Sequence, residues 1–558
     1  MHHLGPIAGI AAHGDWIATA GYDNQVILWD ARKREALARA NHDHLVNQCA
    51  FSSDGRWLVS ASSDYSARVW SLPSLQLHTV LRGHGDDVDM AAFSPDDRSI
   101  ATCALDRVVR TFDRDGRCLR EMRGHTGNVL ALAWSRDGAR LVSSSVDGTI
   151  RIWDAALGVP LGVADLQVRT DSVEIAGDGL IYAGDDRGRI AIIRNGTPTF
   201  VDAHRAGVKK IALLESRGVL ASLSYDRTIA VWRIGPPGEL ELLGRSTLPA
   251  EIWARAAAVL ADGRIATGTF GSTYAIFDHQ SAAWNLEGVA AGPAINAVAT
   301  LGDRTLSVGD AGTVRVDGQA TAHLGSLCNF LVASGDRAFA GGQLGRLFDV
   351  TTGEILHEHH SPLNCGVAFE REGVPHLAVG TYTGEILVFS VGADGRPALA
   401  RTLDAYENAV KGLSCSGDLL FSVCASTDIS WHRIGDWSLH RRIAGAHERI
   451  ANACCAVGEE TFASVGRDRT LRLWEPQGAQ VYPSQHPNSI KCIAVDDEHR
   501  VVATGSYGGT VAFFDVLRRQ WISLQRPTSA GISSIAWDRS RRRFLAASYD
   551  GHIYPVAA

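Results

Sequence analysis

Five stretches of the chain carry a histidine, a hydroxyl residue and an aspartate at matched spacing, and four of them add a tryptophan. They are His42, Ser60, Asp64 and Trp70; His125, Ser143, Asp147 and Trp153; His204, Ser222, Asp226 and Trp232; His447, Ser464, Asp468 and Trp474; and His84, Thr102 and Asp106. Any one set has the residue types of a Ser-His-Asp triad, in which imidazole takes the hydroxyl proton and the carboxylate orients the imidazole. A nucleophilic site is needed once. The same set repeated along the chain fits a structural network that satisfies buried polar groups. No catalytic residue is assigned.

Metal chemistry has one dense candidate, the run His357, Glu358, His359 and His360. Alternate residues of a strand share a face, so His357 and His359 could chelate with one outside ligand. A solvated turn at an outer strand accounts for the same run. The ten cysteines include no Cys-x-x-Cys pair, and adjacent Cys454 and Cys455 cannot clip zinc alone. They read as free thiols packed as small apolar residues in a reducing cytoplasm. No HExxH, phosphate loop or nucleophile elbow is present, and Gly505-Ser506-Tyr507-Gly508-Gly509 is a strand-to-strand turn. No metal and no cofactor is assigned, and the chain is read as not being an enzyme.

The elements that must position these sets are short strands. Residues 124–154, GHTGNVLALAWSRDGARLVSSSVDGTIRIWD, contain three alternating apolar runs separated by the turns RDG and VDG. The unit recurs at intervals of about 40 residues, a repeat length that signals an array. Taking the second turn as anchor gives Asp23, Asp64, Asp106, Asp147, Asp186, Asp226, Gly271 and Asp310, then approximately Gly342, Thr383, approximately Ala425, Asp468, Gly508 and Asp550. An aromatic residue follows six positions after most anchors, as in Trp29, Trp70, Phe112, Trp153 and Trp474. Fourteen units cover nearly the whole chain. The last stops after its third strand.

Trp29-Asp30, Trp153-Asp154, Phe112-Asp113, Phe277-Asp278 and Phe514-Asp515 close their units with an aromatic-Asp pair. In this the chain resembles the WD40 family, most closely in units 1 to 4, 6, 12 and 13. The resemblance implies an all-β chain of two tandem seven-bladed β-propellers, with fourteen blades of four antiparallel strands. The split is expected near 287, giving domains 1–287 and 288–558. The layout is similar to that of actin-interacting protein 1-like double propellers. With a three-stranded last blade the rings follow one another. An interlocked arrangement, with the first unit packed into the second ring, is the alternative.

In WD40 relatives the residues at anchor minus 19, minus 17 and minus 1 often touch the partner. In ring one these positions include the acidic Asp87, Asp89 and Asp185, and the aromatic Tyr22, Tyr225 and Phe270 beside Lys209. In ring two Lys491 falls at minus 17, Lys411 matches it by local register, and Arg449, Arg467, Tyr382, Tyr507 and Tyr549 join them. Three of only five lysines thus share one structural position. A cationic, aromatic rim suits an acidic or phosphorylated peptide. Rim side chains lying over neighbouring loops are the plainer reading. The run Arg539, Arg541, Arg542 and Arg543 falls in a turn on the opposite face.

The net charge of −7 argues against a generally basic nucleic-acid binder, and no apolar run is long enough to cross a bilayer as a helix. No basic leader precedes an apolar stretch at the start. Arginine greatly outnumbers lysine, a bias of GC-rich bacterial genomes. The expectation is a cytoplasmic bacterial scaffold or adaptor that binds protein partners and organises a complex. The alternative is a sensor that recognises a peptide or small ligand on a propeller face and controls an effector.

Overall fold

The computed structural model describes residues 1–214, 217–236 and 238–558. The chain forms thirteen four-stranded antiparallel sheets and a final sheet of three strands, each built from consecutive strands. We number the sheets as blades 1 to 14 and letter the strands a to d in chain order. Blade 4 shows why the sequence folds this way. Its strands are Val129–Trp134, Arg140–Ser145, Thr149–Asp154 and Pro160–Asp165. Strand b reads as a buried run, whereas strand d keeps most side chains in solvent. Between strands a and b, Ser135 accepts from the Arg140 amide at 2.9 Å and donates to Asp137 at 2.6 Å, closing a tight turn.

Between b and c the residue after the anchor takes a left-handed conformation, as at Asn24, Arg227, Arg469 and Gly148. This marks the turn register physically, and it moves four expected anchors. Gly188, Gly312, Gly345 and Thr427 are the left-handed residues of blades 5, 8, 9 and 11. The anchors are therefore Arg187, Ala311, Leu344 and Ser426, not Asp186, Asp310, Gly342 and Ala425. Asp186 and Asp310 stand at the minus-1 position instead.

The chain divides into two compact units, Met1–Ala291 and Gly292–Ala558. Within unit 1, strand a of each blade packs on strand a of the next, and strand a of blade 1 (Ile7–His13) packs on that of blade 7 (Ile252–Val259). Unit 2 closes likewise, with strand a of blade 8 (Ile295–Leu301) against that of blade 14 (Ile532–Asp538). Each unit is therefore a closed ring of seven blades. The core lies between sheets: Ala101, Cys103 and Val109 of blade 3 meet Leu132, Leu141 and Trp153 of blade 4. All ten cysteines are free thiols, most of them wholly or partly buried, with Cys118 exposed.

Candidate functional site

The repeated polar sets assemble as networks inside their own blades. His447 Nδ1 lies 2.9 Å from Asp468, its Nε2 lies 2.7 Å from Ser464 Oγ, and Trp474 donates its indole N–H to the same oxygen at 2.8 Å. Burial pulls the Asp468 carboxyl upward, but the hydrogen bond and charge of His447 outweigh it and hold it down at about 2. The sets at His42, His125 and His204 repeat the geometry, and His84 bonds Asp106 and Thr102. Ser60, Ser143, Ser222 and Ser464 are fully buried. Hydroxyls so enclosed, each already accepting an indole N–H, cannot meet a substrate.

Four further networks escaped the spacing rule. His3, ahead of its first strand, bonds Asp23 and Thr19, and Trp29 donates to Thr19 at 2.8 Å. In blade 13 His486 bonds Thr504 and Thr510 without a carboxylate, and burial lowers its imidazole to about 4. In blade 11 the Tyr406 hydroxyl takes the histidine's place against Ser422 and Ser430. In blade 10 His359 pairs at 3.2 Å with Glu385, which also accepts from Thr383 at 2.6 Å. The carboxylate has moved two residues beyond the anchor.

That last pair revises the metal reading. His357 and His359 do not share a strand face: His357 lies in the strand Ile355–Glu358 with its ring edge-on to Phe389 at 5.2 Å, and His359 lies beyond the strand. Ligand atoms of His359, His360 and Glu385 lie within 4.8 Å of one another, the one such triplet among the described residues. Those residues could hold a divalent ion, yet the His359–Glu385 pair already does the work of the blade network.

The positions expected to touch a partner lie toward the end of each ring that carries the d–a and b–c connections. Strand a of every blade has a bulge near that end, the mouth of the ring. Lys209, Lys411 and Lys491 are all bulge residues, set between Val208/Lys210, Val410/Gly412 and Ile490/Cys492. Unit 2 fills most other bulges with amides that donate to the next blade's backbone. Asn296 reaches Cys328 O at 3.2 Å, Asn329 reaches Leu363 O at 2.8 Å, Asn364 reaches Val410 O at 2.5 Å and Asn452 reaches Ile490 O at 2.7 Å. Ser533 donates in the same sense to Ile295 O of blade 8.

Lys209 is not the rim cation expected of it. It is 6% exposed, with its ammonium 2.8 Å from Asp171 and bonded to Asp186. Arg169 lies 2.9 Å from Asp171 and 3.7 Å from Asp186. Burial disfavours the Asp171 charge, but Arg169, Lys209 and Arg255 outweigh it and hold the group far below the usual carboxylate range. Asp186 is pushed upward, chiefly by burial. Asp185, expected on an acidic rim, is fully buried and pairs with Arg189 at 2.7 Å, and Asp87 is buried too. The acidic sector of ring one is thus largely interior and neutralised. Its aromatic arc forms: Tyr22 meets Trp253 edge-on at 5.1 Å, Trp253 meets Phe270 at 6.0 Å, and Lys209 sits 4.8 Å over Tyr225.

In unit 2 Lys411, Lys491, Arg449, Arg467, Tyr382, Tyr507 and Tyr549 are all half-buried. Lys411 stands 5.7 Å over the Tyr382 ring, and Tyr507 and Tyr549 stack at 6.4 Å. Lys491 makes no hydrogen bond or ion pair among the described residues, and its field reaches Cys365 of blade 10. Asp310 joins this group unforeseen. Burial pushes its carboxyl up to about 7, against one hydrogen bond from Asn296 at 2.8 Å. It acts on Tyr549 together with Tyr507 and Tyr382, so residues of blades 8, 10, 13 and 14 meet at the mouth. The Arg539–Arg543 turn is spent on ion pairs: Arg539 with Asp497 at 3.1 Å, Arg542 with Glu498 at 2.9 Å, and Arg541 and Arg543 with Asp538.

The family model described as WD domain, G-beta repeat, matches residues 2–30, 37–71, 75–113, 116–154 and 480–515. The chain is 27% identical over 247 residues to Autophagy-related protein 16 of Arabidopsis thaliana, covering 41% of this chain and 48% of that protein. It is 25% identical over 175 residues to the Ribosome biogenesis protein WDR12 homolog of Drosophila persimilis, covering 27% and 42%. It is 23% identical over 176 residues to Nuclear distribution protein nudF of Emericella nidulans, covering 27% and 40%. The matches span less than half the length of these curated relatives. The stretches that match this WD40 repeat model fall chiefly in blades 1 to 4 and blade 13.

Proposed function

We propose that this protein is a non-catalytic scaffold or adaptor that holds protein partners within a larger assembly. We further propose that the mouth of unit 2 takes an acidic or phosphorylated segment of one partner. The observation that carries this is the substitution of lysine for the stitching amide at bulge positions 411 and 491. Two ammonium groups, with Arg449 and Arg467 nearby in sequence register, face a mouth walled by Tyr382, Tyr507 and Tyr549. Aromatic walls anchor and cations orient an anionic peptide. A closed ring, with each blade packed on two others, offers a surface largely formed before binding. Relatives whose names refer to autophagy, ribosome biogenesis and nuclear distribution make an assembly role the natural reading.

A cytoplasmic setting is proposed on the ten unpaired thiols, and a consecutive double propeller on the two closed rings. A bacterial source is proposed on the arginine bias alone, and the matched relatives, from a plant, a fly and a fungus, weigh mildly against it.

Fluorescence anisotropy with a labelled acidic serine peptide and its phosphorylated form tests the surface. Lys411→Glu with Lys491→Glu should weaken both by about tenfold or more, since each lost charge-assisted bond removes a kcal/mol or so. Unchanged affinity overturns the assignment. A pull-down from the native host, without any stimulus, separates a standing scaffold from a sensor.

A further inference from the structure

Strand a of blade 7 breaks the pattern of the other thirteen. In each of those the bulge near the mouth holds one extra residue. In blade 7 Ile252 pairs with Thr269, and the next paired residues are Ala257 and Thr267. Strand a therefore advances five residues while strand b advances two. A bulge re-aims side chains, and a wide one beside a binding face is a built feature.

The side chains it delivers are Trp253 and Arg255. The Arg255 guanidinium lies 5.7 Å from the Trp253 ring centre. Its charge is felt by Tyr225, Tyr22, Asp171 and Asp89, which belong to blades 6, 1, 5 and 3. Blades so far apart in the ring meet only on its axis, so Arg255 occupies the mouth of unit 1. The neighbouring cations Lys209 and Arg169 are both engaged. Lys209 and Arg169 share the two oxygens of Asp171 at 2.8 Å and 2.9 Å, and both face Asp186. Arg255 alone among the three makes no hydrogen bond and no ion pair with the described residues. Five donors in a planar fork, set beside Trp253, Tyr22, Phe270 and Tyr225, form one half of a recognition site.

We propose that the mouth of unit 1 binds an organic carboxylate, gripped by Arg255 while Trp253, Tyr22 and Phe270 cover the apolar body that carries it. Arg and carboxylate match as two parallel N–H···O bonds. A singly charged carboxylate matches the one guanidinium that carries no ion pair with the described residues at this mouth. The carboxylate can belong to a free aromatic acid or to an acidic side chain of a partner. This site is separate from the lysine surface of unit 2, and either can fail without the other.

The test uses the full chain carrying Lys411→Glu and Lys491→Glu, which silences unit 2. Calorimetric titration compares phenylacetate with phenylacetamide, and a capped Leu-Glu-Leu peptide with its Leu-Gln-Leu twin. Each carboxylate should bind about tenfold or more tightly than its amide, the discrimination expected of a charge-assisted bidentate pair. Tighter binding of phenylacetate points to a small acid, and tighter binding of the peptide to a partner segment. Arg255→Gln should abolish the preference, with Arg255→Lys intermediate. Trp253→Ala should weaken the carboxylate and the amide alike. Equal binding of acid and amide, absence of saturation at millimolar concentration, or a preference that survives Arg255→Gln in a folded protein overturns the proposal. Should Arg255→Gln fail to fold, Arg255→Lys decides: undiminished preference rejects the fork.

Discussion

Asp186 and Asp310 occupy the same place in their rings, one residue before the anchor of the b–c turn; burial pushes both carboxyls upward, but their partners differ. Asp186 meets Lys209 from the bulge of the next blade and stands within reach of Arg169. Asp310 finds only the amide of Asn296 in its own blade, and burial carries it up to about 7. The bulge residue of the following blade, Asn329, has turned its amide to the Leu363 carbonyl. A mouth carboxylate is thus defined less by its own blade than by the bulge residue beside it. With Lys209 in the bulge the buried acid has a cation beside it, and with Asn329 there the side chain is turned to a backbone carbonyl instead.

The comparison can be broken from the unit 1 side with the largest effect. Lys209→Met leaves Asp171 and Asp186 buried with one cation fewer, and should cost about 3–5 kcal/mol in denaturant unfolding. Hydrogen exchange should place the loss in blades 5 and 6. A cost below about 1 kcal/mol would mean that Arg169 and Arg255 suffice.

The converse change is Asp310→Asn. Its carboxyl sits near 7 in the folded ring against an ordinary value of 3.8. Between those values the folded state binds the extra proton, so stability falls as pH rises through about 7. The amide should remove that fall and stabilise unit 2 above neutrality by on the order of 3 kcal/mol. Asp468 carries the opposite sign: its lowered value supplies stability that is present above the ordinary carboxylate range and lost as pH drops toward about 2. A variant whose pH profile between 4 and 7 matches the parent would remove Asp310 from this account.

Ser464→Ala should cost about 2 kcal/mol, because the His447 ring and the Trp474 indole both lose their partner in a buried site. Thr504→Ala in blade 13, where no carboxylate stands behind His486, should cost less. Equal costs would show that the aspartate contributes nothing beyond the turn. Smallest of all, Asn329→Ala should cost about 1 kcal/mol, one backbone carbonyl losing its donor.

Much of this was legible in the sequence, and the failures have physical causes. The fourteen units and five of the buried networks follow from alternation and spacing, and of the two endings the sequence left open the structure has the three-stranded last blade. Lys209, Lys411 and Lys491 were placed at one position, and the structure puts all three in the bulge. Whether an ammonium there is buried or half-open depends on acids from the neighbouring blade, which linear spacing does not display. Two of the four misplaced anchors, Asp186 and Asp310, arose because an aspartate at minus 1 imitates the anchor aspartate. The left-handed Gly188 and Gly312 that follow would have corrected blades 5 and 8. His3 was passed over because its strand had not yet begun. Arg255 had a signal, since unit 7 is the longest step between anchors, but the surplus could equally have lain in a loop.

The bulge side-chain ties of unit 2 all run the same way. Asn296 of blade 8 holds blade 9, Asn329 of blade 9 holds blade 10, Asn364 of blade 10 holds blade 11, Asn452 of blade 12 holds blade 13, and Ser533 of blade 14 holds blade 8. Asn47 obeys the same sense in unit 1, reaching Val88 O of blade 3 at 2.9 Å. The ring therefore has a handedness, and damage to it is directional. Losing a donor releases the blade downstream, while the blade upstream keeps its grip.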